Sequence, residues 1–212
     1  MLEKIKLDFL RWLTVPMVRM KWIGKRENNL DVENRRVAVN GGEITVRVYT
    51  PRGTGPFPVI LFLHGGGFVG CNLETHDFLC RDLCVASGHV VASVDYRLAP
   101  EYPFPIPVMD CIEALQWLKR EAVNLKGDID RLTICGDSAG GNLSAVVTIH
   151  ARERFPGLIK RQVLIYPVTD DGEKQWPSYA AYGTGHKLTL KDMKWLLGLY
   201  TRGSAEYKAR FA

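Results

Sequence analysis

A chain of 212 residues that is 46% hydrophobic and 24% charged can bury one sizeable core, which excludes a disordered or low-complexity polymer. Its net charge of +5 comes from scattered Lys and Arg. The densest group, Arg152, Arg154, Lys160 and Arg161, straddles Pro156-Gly157 and reads as a solvated helix end, so no nucleic-acid partner is expected. The chain then reads from its N-terminus as follows. Leu2, Ile5, Phe9, Trp12 and Leu13 fall at helical spacing until Pro16, which predicts an amphipathic helix covering its own domain. Glu3 and Asp8 interrupt it, so no signal peptide is expected, and no run in the sequence is long and apolar enough to predict a membrane span.

From Arg35 the period becomes two. Val37 and Val39, a Gly41-Gly42 turn, then Ile44, Val46 and Val48 predict a hairpin. Pro51–Pro58 reads as a loop. Val59–Leu63, Val90–Val94, Leu132–Cys135 and Val163–Tyr166 are continuous apolar runs, the mark of strands buried on both faces. Helices are predicted at Phe78–Ala86, Val108–Ala122, Ala139–Arg154 and Thr189–Tyr200. Strand and helix therefore alternate after the hairpin, which means an α/β fold with a mostly parallel sheet and helices on both faces.

Five cysteines, Cys71, Cys80, Cys84, Cys111 and Cys135, are odd in number and contain no CxxC pair, so neither a metal site nor a disulfide framework is expected. Reduced thiols in a cytoplasmic protein are the simplest account. Cys80 and Cys84 should share one helix face.

The chemistry lies in two glycine-flanked turns. Gly136-Asp137-Ser138-Ala139-Gly140 follows a buried strand and opens a helix, the context of a nucleophile elbow. His64-Gly65-Gly66-Gly67 follows another buried strand and continues Phe68-Val69 rather than Lys-Ser/Thr, so it fits oxyanion donors better than a phosphate loop. A third segment, Asp95-Tyr96-Arg97-Leu98-Ala99-Pro100-Glu101, ends a buried strand with charges that need partners. Asp95, Arg97 and Glu101 are expected to pair among themselves.

On these three motifs the chain resembles the hormone-sensitive-lipase-like family of α/β-hydrolases, which includes many bacterial carboxylesterases. The resemblance implies an α/β-hydrolase fold with a helical cap and an ester as small-molecule substrate, with no cofactor. It implies Ser138 as nucleophile and the N–H groups of Gly66, Gly67 and Ala139 as the oxyanion hole, supported by His64, Gly65, Gly136, Asp137 and Gly140. It also divides the chain into cap helices at 1–34, a hydrolase core at 35–172 and a cap segment at 173–212.

In α/β-hydrolases an acid and then a histidine follow the serine. Here His150 lies three turns into the next helix and His186 in the cap segment, while Asp170 and Asp171 read as loop caps. His64 should anchor its loop, His76 should lie near the pocket rim, and His89 precedes a strand. The core therefore reads as lacking its last two strand–helix units, on the order of 60–80 residues. Three expectations follow. The chain alone is a weak or inactive esterase. It can self-associate through the edge left at Val163–Tyr166. Alternatively it is a non-catalytic small-molecule-binding protein, as gibberellin receptors are within the resembling family.

Overall fold

Alternation inside one apolar run shows why the sheet must be covered twice. In strand β3 (Phe57–Leu63), Val59, Leu61 and Leu63 face one core and Ile60 and Phe62 the other, as the two-residue period of a strand requires. The protein is seen as a computed structural model that describes Arg11 and residues 29–202. The predicted helix at the N-terminus, most of the 1–34 segment and the last ten residues lie outside the described residues.

Among the described residues six strands form one sheet in the order β1-β2-β4-β3-β5-β6, with β1 at Leu30–Val39, β2 at Gly42–Pro51, β4 at Val90–Asp95, β5 at Gly127–Asp137 and β6 at Ile159–Ile165. The pairs β1/β2 and β2/β4 are antiparallel; β4, β3, β5 and β6 run parallel. Helix α1 (Leu73–Ser87) brings Cys80 and Cys84 together against Phe62 and Val91 on one face. Helices α2 (Ile106–Glu121) and α3 (Ala139–Arg154) bury Leu115, Leu118, Leu143 and Val147 on the other. Two shorter helices, α4 (Pro177–Tyr182) and α5 (Leu190–Thr201), follow β6. No helix among the described residues is long and apolar enough to cross a membrane.

Several boundaries move from their sequence-based positions for physical reasons. Residues 30–34, assigned to the cap helices, begin β1, whose register runs from Leu30↔Pro51 to Val39↔Gly42. This is an edge strand with exposed polar side chains, so it lacks an apolar signature. Helix α1 starts at Leu73, not Phe78, because Asn72 caps it: its side chain accepts from Glu74 N at 3.0 Å and Thr75 N at 3.1 Å. β6 ends at Ile165, leaving Tyr166 outside the strand at φ 36 and 73% exposed. β6 is an edge of the sheet, with Val163 46% exposed.

The strand order also positions the site. From β3 the chain crosses through α1 to β4 on one side, whereas from β5 it crosses through α3 to β6 on the other. The carboxyl ends of β3 and β5, paired at Leu63↔Gly136, thus flank a topological switch point, where open α/β sheets bind ligands.

Candidate active site

β5 ends at Asp137 and α3 begins at Ala139, so Ser138 alone turns the chain. It does so at φ 52 and ψ −116, outside the comfortable regions for a residue with a Cβ and worth roughly 1–3 kcal/mol of strain. The surroundings hold it there. Ser138 N–H donates to Ile165 O at 2.9 Å, and Ser138 O accepts from Asn142 N and Val168 N, each at 3.1 Å. The flanking glycines allow close approach: a Cβ on Gly136 would meet Leu63 O at 2.6 Å, and one on Gly140 would meet His64 O at 2.6 Å.

The glycine loop leaves β3 beside this turn. Gly66 has φ 122 and Gly67 φ 62, both open to glycine and strained for other residues. Gly66 O accepts from Gly70 N at 2.9 Å, and Phe68 O accepts from Ala99 N at 3.0 Å. A Cβ on Gly67 would meet Leu196 Cδ1 at 2.7 Å, so α5 lies directly on the loop. The Phe68 ring stacks on Tyr200 of the same helix at 3.9 Å.

Ser138, Gly66 and Gly67 therefore line one cavity of about 260 Å³, together with Phe68. The opposite wall comes from beyond β6: Val168, Leu188, Met193, Leu196 and Leu197. Ala139 is buried at the start of α3. The apolar wall suits a hydrocarbon group, while the serine hydroxyl and the backbone N–H groups of the glycine turn suit an oxygen-bearing carbon.

Beneath the loop, Asp137 Oδ1 accepts from Gly65 N at 2.9 Å and lies 3.2 Å from His76 Nε2. Burial opposes ionisation of Asp137, but the hydrogen bond and charge of His76, with the Gly65 N–H and His64, outweigh it and hold the carboxyl below its ordinary range. His64 is buried, its ring stacked on Tyr96 at 4.3 Å. Its Nδ1 lies 2.7 Å from Gly65 O and so donates, and His64 O accepts from Tyr96 OH at 2.7 Å.

Burial and the neighbouring His76 press the His64 imidazole down to about 4, against smaller opposing effects of Gly65 O and Asp137. A depressed base contributes stability that is complete above its unfolded value, about 6.5, and is lost as pH falls toward 4. Chemical denaturation should therefore show up to about 3 kcal/mol lost between pH 7 and pH 4 on this account, and a smaller loss in His64→Gln. An equal acid loss in that variant would contradict the assignment.

The remaining predictions for this region divide. The expected network among Asp95, Arg97 and Glu101 is not formed. Arg97 instead pairs with Asp110 on α2, through Nε to Oδ2 at 2.9 Å and Nη2 to Oδ1 at 2.6 Å. Glu101 pairs with Arg11, both oxygens at 3.0 Å. Strand direction sends Arg97 toward α2, and no local spacing links positions thirteen apart. His150 lies within α3, His186 stands 5.8 Å from the Tyr182 ring, and His89 Nδ1 lies 2.8 Å from Ser87 O. All five histidines are described, and none lines the cavity. Asp170 does cap its loop, accepting from Gly172 N, Trp176 Nε1 and Tyr179 OH at 2.7, 3.0 and 3.1 Å. Among the described residues no group of three or more His, Cys, Asp or Glu side chains is placed to hold a metal ion. Sequence reasoning missed the contact of His76 with Asp137 and the cavity wall on α5; neither follows from local periodicity.

This architecture has known counterparts. The family described as alpha/beta hydrolase fold matches residues 60–212. The carboxylic ester hydrolase LipN of Mycobacterium tuberculosis is 41% identical over 181 residues, 83% of this chain and 48% of that protein. The ethyl acetate hydrolase of Pseudomonas putida is 37% identical over 171 residues, 79% of this chain and 54% of that protein. The chain thus spans about half the length of these curated relatives. Among solved structures, the thermostable carboxylesterase EstE1, cloned from a metagenomic library, superposes with TM-score 0.91 and 40% identity, covering 95% of this chain and 69% of that one.

Proposed function

The chain belongs to the α/β-hydrolase family, and from that premise we propose that it serves a serine carboxylic-ester hydrolase acting on short-chain esters through an acyl-enzyme on Ser138. The observation that carries this reading is the strained Ser138 turn facing the same cavity as Gly66 and Gly67. The ester chemistry named for LipN and the Pseudomonas relative supports it.

In the proposed reaction Ser138 Oγ adds to the ester carbonyl carbon as its proton passes to a base. The carbonyl oxygen gains the electron pair and is received by the N–H groups of Gly66, Gly67 and Ala139. The N-terminal end of α3 adds its positive dipole at the same point. Collapse expels the alcohol oxygen, which takes a proton, and leaves the acyl group on Ser138; water then releases the acid. The small apolar cavity under Met193, Leu196 and Leu197 would take the acyl chain, and the segment 173–202 would act as its cap.

A serine hydroxyl needs a proton acceptor, and the five histidines stand elsewhere. We therefore expect the 212-residue chain alone to turn over p-nitrophenyl butyrate well below about 1 per second, the lower end of ordinary enzyme rates. What remains should vanish in Ser138→Ala. The same placement of the histidines favours one second reading, a non-catalytic small-molecule-binding protein. A rate unchanged in Ser138→Ala, with an ester analogue still quenching tryptophan fluorescence, would favour that reading and overturn the first.

A further inference from the structure

His76 is a half-buried side chain that the reaction above does not use. It stands on the first turn of α1, 61 residues from Asp137 in the chain, with its Nε2 3.2 Å from Asp137 Oδ1. That oxygen also accepts the Gly65 N–H at 2.9 Å. The approach is built into the backbone, because a Cβ on Gly65 would be driven into the other oxygen, Asp137 Oδ2. The imidazole is wedged in place, its ring 5.9 Å from Phe62 and 5.6 Å from His64. Its Nδ1 lies 2.9 Å from Thr75 Oγ1, itself fixed by the capping box of α1.

We propose that His76 is a positioning residue of this site: it donates Nε2–H to Asp137 and so holds the carboxylate that anchors Gly65, setting the glycine loop against Ser138. The assignment rests on the esterase reading for its purpose but not for its geometry. The Thr75 hydroxyl bears on the tautomer of the ring. Thr75 Oγ1 accepts Asn72 N–H and lies 2.8 Å from Asn72 O. If the hydroxyl proton goes to Asn72 O, His76 Nδ1–H donates to Thr75 and Nε2 needs a second proton to donate. If the hydroxyl turns to Nδ1, the ring is neutral and its single proton sits on Nε2. Either way Nε2 faces an acceptor-only carboxylate. The titratable groups around this contact are Asp137 on β5, His64, which favours the Asp137 carboxylate, and Cys71, Tyr96 and Tyr166, whose ionisation the Asp137 charge opposes.

Two substitutions separate the roles of the two ring nitrogens. His76→Gln places an amide donor near Nε2, and His76→Asn places one near Nδ1 only. In the folded chain, amide hydrogen exchange at Gly65 should accelerate by roughly tenfold or more in His76→Asn and stay within about threefold of wild type in His76→Gln. Residual p-nitrophenyl butyrate hydrolysis should follow the same order, through kcat with KM unchanged. Equal Gly65 exchange in wild type and His76→Asn would overturn the proposal, as would equal acceleration in both variants. The exchange readout is independent of turnover, so loss of the esterase reading would appear separately, as hydrolysis insensitive to Ser138→Ala. Should His76→Asn not fold, the wild-type chain still decides. A protonated His76 Nε2 with a cross-peak to the Gly65 amide proton supports the link, and an unprotonated Nε2 overturns it.

Discussion

A methyl group placed at Gly140 should destabilise the fold by about 3 kcal/mol or more, while the same change at Gly198 should stabilise it by about 0.5–1 kcal/mol. Both glycines lie within helices, and neither has positive φ. What differs is the space. At Gly140 the new Cβ would be driven into Leu63 O and would lie 2.6 Å from His64 O. Both are backbone atoms at the end of β3, so no rotamer change relieves the overlap; α3 and β3 must part. At exposed Gly198 on α5 nothing among the described residues lies within 4 Å, and alanine only removes backbone freedom from the unfolded chain. Parting α3 from β3 would also move Ser138 away from the glycine loop. Urea titrations of the two variants decide the matter: the midpoints should move in opposite directions with similar slopes. A Gly140→Ala chain as stable as wild type would mean that the elbow does not need this close approach.

The same packing explains why the elbow was legible in the sequence. Gly136 and Gly140 are glycines because the positions their side chains would fill are taken by backbone, that of Gly140 and Leu63 for Gly136 and that of Leu63 and His64 for Gly140. The inner strands were legible because Val59–Leu63 and Val90–Val94 are apolar on both faces. β1 was only half visible, since Asp31, Glu33, Asn34, Arg35 and Arg36 face solvent along an edge. The start of α1 was missed because Glu74, Thr75, His76 and Asp77 carry its first turn: capping and ion pairing, rather than apolar periodicity, start that helix. Side-chain pairings across the fold were the least visible. Nothing near Asp95 or Glu101 distinguishes them from Asp110 as partners of Arg97, and nothing near His76 points to Asp137. These choices depend on which strand end faces which helix.

Asp110→Ala tests the most consequential of these pairings and should cost about 3–5 kcal/mol. Asp110 is fully buried on α2 and accepts three bonds from one residue: Arg97 N–H at 3.0 Å and two guanidinium contacts at 2.9 and 2.6 Å. Removing the carboxylate leaves a largely covered guanidinium whose remaining acceptors are Asn40 O at 2.9 Å and Gly41 O at 3.4 Å, with the Tyr102 ring beneath it at 5.0 Å. These neutral groups do not compensate a charge held away from water. Removing both charges is a different experiment. Arg97→Met with Asp110→Leu replaces the pair by apolar groups of comparable size, and such replacements are commonly near neutral. The double variant should therefore recover most of what Asp110→Ala loses, leaving a strongly favourable coupling in a double-mutant cycle. The consequence reaches the site through one bond. Arg97 precedes Ala99 by two residues, and Ala99 N–H donates to Phe68 O of the glycine loop at 3.0 Å. Asp110→Ala should thus loosen Phe68 and Gly67 by hydrogen exchange more than it loosens α3. A loss below about 1 kcal/mol in the single variant, the range of an exposed ion pair, would show that solvent reaches Arg97 and that the 97–101 loop does not depend on this pair.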